Sequence, residues 1–199
     1  MKKIGIYGGS FDPVHKGHVN LANCALSELS LEKVIIMPSY IQPFKRDNRF
    51  TAPSDRVNML KLSFDNPKIE ISTYEIDKED ISYTFDTMSY LKGQYGDSEL
   101  VFIVGTDSYL GIEGWYKGLD LLQNFSFAVA TRPGYEADLE EKAKYYSDEY
   151  DTVTYILHNT VLAVSSSEIR KNVADGKNIS ELVNEKVEEY IRIEGLYRN

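Results

Sequence analysis

Short apolar, β-branched runs alternate with stretches of helical period along almost the whole chain. Strand patterns cover Lys3–Tyr7, Lys33–Met37, Ile69–Ser72, Leu100–Val104, Phe125–Ala130 and Val153–Leu157. Amphipathic stretches separate them: His18–Leu29, Asp55–Phe64, Phe85–Tyr95, Leu119–Asn124 and Leu139–Tyr146. This alternation predicts βαβ units and an α/β fold with a doubly wound parallel sheet covered on both faces. The tail from Ser165 to Ile193 carries two more helical patterns with no strand between them. Neither an internal repeat nor a Ser/Gly-rich linker interrupts the pattern, so residues 1–199 are expected to form one domain, with 165–199 as a helical C-terminal portion.

Punctuation refines the map. Ser54 before Asp55-Arg56 reads as a helix N-cap. Pro38, Pro43 and Pro53 bracket a segment from Ser39 to Ala52, a length typical of binding loops and lids. In a doubly wound sheet ligands sit outside the C-terminal strand ends, where this loop, the Gly8-Gly9 turn and the Gly105 turn would meet.

Composition narrows the function classes. A net charge of −9 argues against a protein that coats nucleic acid, although a few converging cations could still hold a small anion. The acidic clusters Asp77–Asp80 and Glu136–Glu141 read as solvated faces. Apolar runs such as Leu100–Val104 are strand-sized and too short to span a bilayer, and Met1-Lys2-Lys3 leads directly into a strand pattern without a signal segment. The single cysteine, Cys24, rules out an internal disulfide framework and fits a reducing cytoplasm.

The candidate chemistry begins at GGSFDPVHKGH, from Gly8 to His18, which reads as strand, glycine turn and helix start. It has neither the Lys-Ser/Thr ending of a Walker loop nor the glycine spacing of a dinucleotide fingerprint. His15 and His18 could be metal ligands, surface residues or a phosphate clamp. With only His158 besides and no ligand spacing, the clamp on helix N-terminal N–H groups is the better reading. Asp12 could serve a catalytic dyad but more simply makes the turn with Pro13. In VSSSEIR, Ser165 and Glu168 form a capping-box pattern, which alone means only a capped helix. Ser166, Ser167 and Arg170 add donors to the same turns and make a second anion site. Asp107 after Gly105 fits a ribose acceptor or a helix cap equally. Trp115-Tyr116, among three glycines, fits a stacking platform at least as well as a core. Ser82-Tyr83-Thr84 opens a helix whose N–H groups could take a carboxylate. Lys45 and Arg132 stand at the predicted ligand edge, where either could be surface charge.

Together these residues resemble the nucleotidylyltransferase superfamily, and within it the bacterial nicotinate-nucleotide adenylyltransferases. GGSFDPVHKGH resembles the phosphate motif, with His15 and His18 as the HxGH pair; SYTFDT, WYKGLDLL, TRPGY and VSSSEIR resemble further segments. PSYIQPFK, Pro38 to Lys45, is similar to the family's P-x-x-x-P-P-H-K segment, with Gln42 and Phe44 in place of the usual Pro and His. HxGH alone marks only the superfamily; its combination with SYT, WY and the terminal motif is far more specific.

The resemblance implies a Rossmann-like fold and adenylyl transfer from ATP to nicotinate mononucleotide, giving deamido-NAD and pyrophosphate. It places ATP against Gly8, Gly9, Ser10, Phe11, His15, His18, Gly105, Asp107, Ser166, Ser167 and Arg170, with His15, His18 and Arg170 catalytic. It places the mononucleotide against Ser10, Lys45, Thr84, Asp107, Trp115, Tyr116 and Arg132. Mg²⁺ would arrive with the ATP rather than in a protein cage, and neither nucleic acid nor membrane is an expected partner; a homo-oligomer stays open. The alternatives are a nicotinamide or dual-specificity enzyme, or a catalytically silent nucleotide-binding module on the same fold. The SYT and WY segments argue against the pantetheine phosphate and CTP branches.

Overall fold

A computed structural model describes residues 2–45, 51–131, 134–158, 162 and 164–198, with Lys45 described in its backbone only. Arg132 and the Lys45 side chain therefore lie outside the described residues. The elements in chain order are β1 (Lys3–Gly9), α1 (Lys16–Glu28), β2 (Lys33–Pro38), α2 (Pro53–Ser63), β3 (Ile69–Ile71), α3 (Tyr74–Asp77), α4 (Thr84–Gln94), β4 (Glu99–Gly105), α5 (Thr106–Tyr109), α6 (Gly118–Asn124), β5 (Ser126–Ala130), α7 (Glu136–Tyr150), β6 (Thr154–Leu157), α8 (Ser166–Ala174) and α9 (Glu185–Ile193).

Six parallel strands run in the order β3-β2-β1-β4-β5-β6, the Rossmann-like arrangement. All six strands predicted from the apolar runs are present, each within two residues of its expected ends. The runs are continuous because both sheet faces are covered. Leu21, Ala25, Met59, Leu60, Ile169 and Val187, from α1, α2, α8 and α9, pack on one face. Met88, Leu91, Leu121, Leu122, Leu139 and Tyr146, from α4, α6 and α7, pack on the other. The C-terminal helices thus share one core with α1 and α2.

The switch in strand order lies between β1 and β4, whose C-terminal ends are Gly8-Gly9 and Gly105. Parallel strands aim their carboxyl ends the same way, so the loops that follow them gather at this edge.

Some local expectations are corrected. Ser54 is not the N-cap of α2. That position belongs to Ala52, and Pro53 opens the helix, where its fixed φ and missing N–H cost nothing. Helix α1 starts at Lys16 rather than His18, because His15 caps it. Helices α3 and α5, and the 3₁₀ turns Pro43–Lys45 and Ile112–Gly114, were not predicted; three or four residues are too few to show a period.

Close approach explains one glycine. A Cβ on Gly118, at the start of α6, would collide with the Ile112 carbonyl in the turn that leads to Trp115. Gly118→Ala should therefore destabilise the protein by about 1–3 kcal/mol in urea unfolding and shift Trp115 emission. Gly93→Ala, whose Cβ meets no described atom within 4 Å in α4, should gain about 0.5–1 kcal/mol. Equal effects of the two substitutions would contradict the close packing at Gly118.

Candidate active site

The glycine turn delivers the chain into α1 through an unusual cap. His15 takes the extended N-cap conformation and its Nδ1 accepts the His18 N–H at 3.3 Å; His18 Nδ1 accepts the His15 N–H at 3.2 Å. A capping box usually pairs Ser or Thr with Glu, whereas here two imidazoles play both parts. Each Nδ1 is an acceptor, so each neutral ring carries its proton on Nε2 and presents a donor there. The rings stack with centroids 3.6 Å apart, an arrangement two imidazolium ions would resist. Burial holds His15 down at about 4, so it is uncharged at neutral pH.

The neighbours of this cap belong to several parts of the chain. Phe11 is fully buried, edge-on to Tyr7 and His18, so only its backbone is available to a ligand. Ser10 offers its carbonyl to Arg56 at 2.8 Å. Asp12 does more than turn the chain: its buried carboxylate accepts the Thr51 N–H at 3.1 Å and the Tyr197 hydroxyl at 2.6 Å.

Helix α8 is stapled to this turn. Arg170 Nη1 donates to the Asp12 carbonyl at 2.6 Å and Nη2 to Ser167 Oγ at 3.2 Å. The Ser166 hydroxyl donates to the Pro13 carbonyl at 2.8 Å, which commits its proton. Ser165 caps α8 by accepting the Glu168 N–H at 3.1 Å. The N-terminal turns of α1 and α8 are thereby brought to the same edge.

Beside them, at the switch point, lies a cavity of about 470 Å³. Gly8, Gly9 and Gly105 line its sheet side, and exposed Asp107, in the first turn of α5, stands at its rim. Thr84 opens α4, which has no side-chain cap, so its first-turn N–H groups are unsatisfied by the helix. Trp115 is half-buried, edge-on to Phe102 and 6.2 Å from Phe44, while exposed Tyr116 leans on Tyr83 at 4.4 Å. Trp115 is therefore neither a core residue nor free of the core: one side packs and another faces the cavity. His15, His18, Ser166, Ser167 and Arg170 lie outside this lining, so the site has two compartments that meet at the glycine turn.

A model of the cytidylyltransferase-like family matches residues 6–172. Over 199 residues the chain is 41% identical to the probable nicotinate-nucleotide adenylyltransferase of Moorella thermoacetica, across 98% of this chain and 92% of that one. It is 36% identical over 201 residues to the nicotinate-nucleotide adenylyltransferase of Bacillus subtilis, across the full length of both. The chain belongs to the nicotinate-nucleotide adenylyltransferase family. Its fold matches a Plasmodium falciparum nicotinic acid mononucleotide adenylyltransferase complexed with NaAD, with TM-score 0.81, 20% identity and coverage of 99% and 98% of the two chains.

Two buried charged residues at this family member's site were missed by sequence reasoning. Arg56 is 1% exposed and Glu75 7% exposed. Arg56 shares the apolar face of α2 with Met59 and Leu60, three and four positions on, and a cation on that stripe was the available signal. Glu75 sits in a four-residue helix within an acidic stretch and left none.

The capping pair makes a testable statement about pH. Unfolded His15 takes up a proton near 6.5, whereas folded His15 resists until about 4. Protonation between those values favours the unfolded chain, so this contribution is full above pH 6.5. It should fall by up to about 1.4 kcal/mol per pH unit down to about 4. His15→Asn keeps a side-chain oxygen for the cap and should flatten the slope in urea unfolding measured at pH 7, 5.5 and 4.5. An unchanged slope would mean another group titrates there.

Proposed function

We propose that this chain transfers the adenylyl group of ATP to nicotinate mononucleotide, releasing pyrophosphate and forming deamido-NAD. The observation that carries this reading is the His15–His18 cap at the end of β1 beside a cavity lined by Thr84, Trp115 and Tyr116. In this reading the turn that binds phosphate and the cavity that takes the pyridine ring adjoin at Gly8-Gly9. Family membership and the size of the cavity, within the usual range for small-molecule sites, support it further.

The reaction needs no protein nucleophile. A phosphate oxygen of the mononucleotide attacks the α-phosphorus; the new P–O bond forms as the bond to the bridging oxygen breaks, and pyrophosphate departs with that electron pair. In this reading the His15 and His18 Nε2–H groups, at the N-terminus of α1, face the α- and β-phosphates. Ser166 through its backbone N–H, and Ser167 and Arg170 through their side chains, hold the β/γ end. Such fixed donors stabilise charge that grows during transfer without reorganising. Gly105 and Asp107 take ribose, Trp115 and Tyr116 take the ring, and the first turn of α4 at Thr84 takes the carboxylate. Ser10, Lys45 and Arg132 complete the mononucleotide side.

Mg²⁺ belongs to the substrate here, entering with ATP and neutralising phosphate charge. Among the described residues no group of three or more His, Cys, Asp or Glu is placed to hold a metal. We place the reaction in the cytoplasm, on the single-cysteine composition; no helix among the described residues is long and apolar enough to cross a membrane.

One observation favours the amide as a second reading: the charged residues among those lining the cavity are Glu75 and Asp107, both acids. Against it, Lys117 places a cation 4.5 Å over the ring of Phe85, the residue that follows Thr84. The deciding assay is pyrophosphate release with ATP, Mg²⁺ and each mononucleotide. The acid should be favoured in kcat/KM by roughly 10², the cost of two mispaired donors. A ratio near one, or favouring the amide, would make this a dual-specificity or nicotinamide enzyme. His18→Ala should lower kcat by roughly 10²–10³ while mononucleotide affinity stays close to wild type. Near-normal turnover in that variant would leave His18 a cap and nothing more.

A further inference from the structure

Glu75 is a buried carboxylate in the cavity wall that the mechanism above does not use. The Thr87 hydroxyl donates to its Oε1 at 2.6 Å, and the Ser82 hydroxyl lies near the same carboxylate and favours its charged form. Ser82 Oγ in turn accepts the Tyr40 N–H at 3.0 Å, and the Ser82 N–H donates to the Ile41 carbonyl at 2.9 Å. Glu75 and Ser82 together thus link the segment after β2 to the start of α4, two walls of the same cavity. Thr87 lies three residues beyond Thr84, on the same side of the helix. Its own N–H donates to the Tyr83 carbonyl at 3.2 Å, so the first turn is held from both its backbone and its side chain.

A carboxyl group in this position is not explained by packing alone. Burial opposes its charge and pushes its pKa up, against the hydrogen bonds of Thr87 and Ser82 and the nearby Lys78. A Gln or an apolar residue would fill the space at lower desolvation cost. What a carboxylate supplies is a strong acceptor that fixes the direction of the Thr87 hydroxyl proton. With that proton committed to Glu75, the first-turn N–H groups of α4 remain as donors at this end of the cavity.

We propose that Glu75 is a positioning residue for the pyridine end of the mononucleotide, acting through Ser82 and Thr87 to hold the first turn of α4 against the substrate carboxylate. The assignment rests on the adenylyl-transfer reading and adds to it the element that sets the acid-recognising donors. Glu75 itself need not touch substrate.

Trp115, the one tryptophan in the chain, lines the cavity and reports binding there directly. Nicotinate mononucleotide is titrated against Trp115 fluorescence and ATP by calorimetry, for wild type, Glu75→Gln, Thr87→Val and the double variant. Glu75→Gln and Thr87→Val should each weaken the acid nucleotide roughly tenfold, the worth of a hydrogen bond to a charged group, and leave ATP within about twofold. Because both act on one contact, the double variant should lose little more than the worse single one. Affinity for the amide nucleotide should move much less. Thr87→Val retains shape and keeps the test open if Glu75→Gln does not fold. Unchanged acid affinity, equal loss of ATP and mononucleotide, or fully additive losses would each overturn the assignment. If wild type releases pyrophosphate from ATP and nicotinate mononucleotide while the variants bind normally, only the role of Glu75 falls. Wild type that binds no pyridine mononucleotide would overturn the function and this assignment together.

Discussion

The guanidinium of Arg56 is the joint on which the site's geometry depends. It is buried at 1% exposure, with Nη1 shared between the Ser10 carbonyl at 2.8 Å and the Ser39 carbonyl at 2.7 Å, and Nε on the Thr51 carbonyl at 3.2 Å. Those carbonyls belong to the turn after β1, the end of β2 and the segment before α2, where the sheet no longer supplies partners. Buried backbone oxygens must be paired, and a planar fork of five donors satisfies several at once where lysine could not. The Asp12 carboxylate supplies the opposite charge and carries the network on: to Thr51 and Tyr197 through its side chain, and to Arg170 through its carbonyl. Five separate stretches of chain thus meet around one turn.

That network changes what Arg170 means. From sequence it is a cation in a second anion site, on a helix that Ser165 and Glu168 would cap without it. In the structure Ser165 does cap α8, but Arg170 spends Nη1 on Asp12, one residue before Pro13 and three before His15. Arg170, proposed above to hold the nucleotide, therefore also sets the shape of the histidine turn. Any loss on removing it combines both effects.

The legible parts of this molecule are those with a repeating or contiguous signal. Strands buried on both faces show as unbroken apolar runs, and α1, α2, α4 and α7 show a period; even so, α7 extends from Glu136 to Tyr150, beyond its readable apolar centre. Gly8 to His18 is contiguous, so its place at the strand end could be read directly. The histidine capping box could not, since it depends on ring orientation rather than residue type. Glu75 was invisible because its partners, Ser82 and Thr87, are seven and twelve residues away and α3 is too short to show a buried face. Asp12 and Arg56 were readable as a turn former and a helix residue; that they share one buried network across forty-four positions is tertiary information.

An enzyme with net charge −9 that handles two phosphorylated substrates faces a physical problem, and the site answers it with dipoles more than with cations. His15 is neutral, α1 and α8 turn their N-termini to this edge, and the end proposed to recognise the acid is another helix start. Neutral donors attract a distant anion weakly, so they contribute little long-range steering. Their strength appears at contact, in a site where water is excluded and the donors are already aimed. Aim then becomes the quantity the protein must protect. That accounts for a site in which the groups nearest the chemistry are each fixed by a second bond: His15 and His18 by each other, Arg170 by Asp12, and the first turn of α4 by Glu75. An acid at 7% exposure beside a carboxylate site would be a defect if net charge selected the substrate. It is an asset if direction does, because a buried acceptor keeps the Thr87 hydroxyl proton engaged and turned from the ligand.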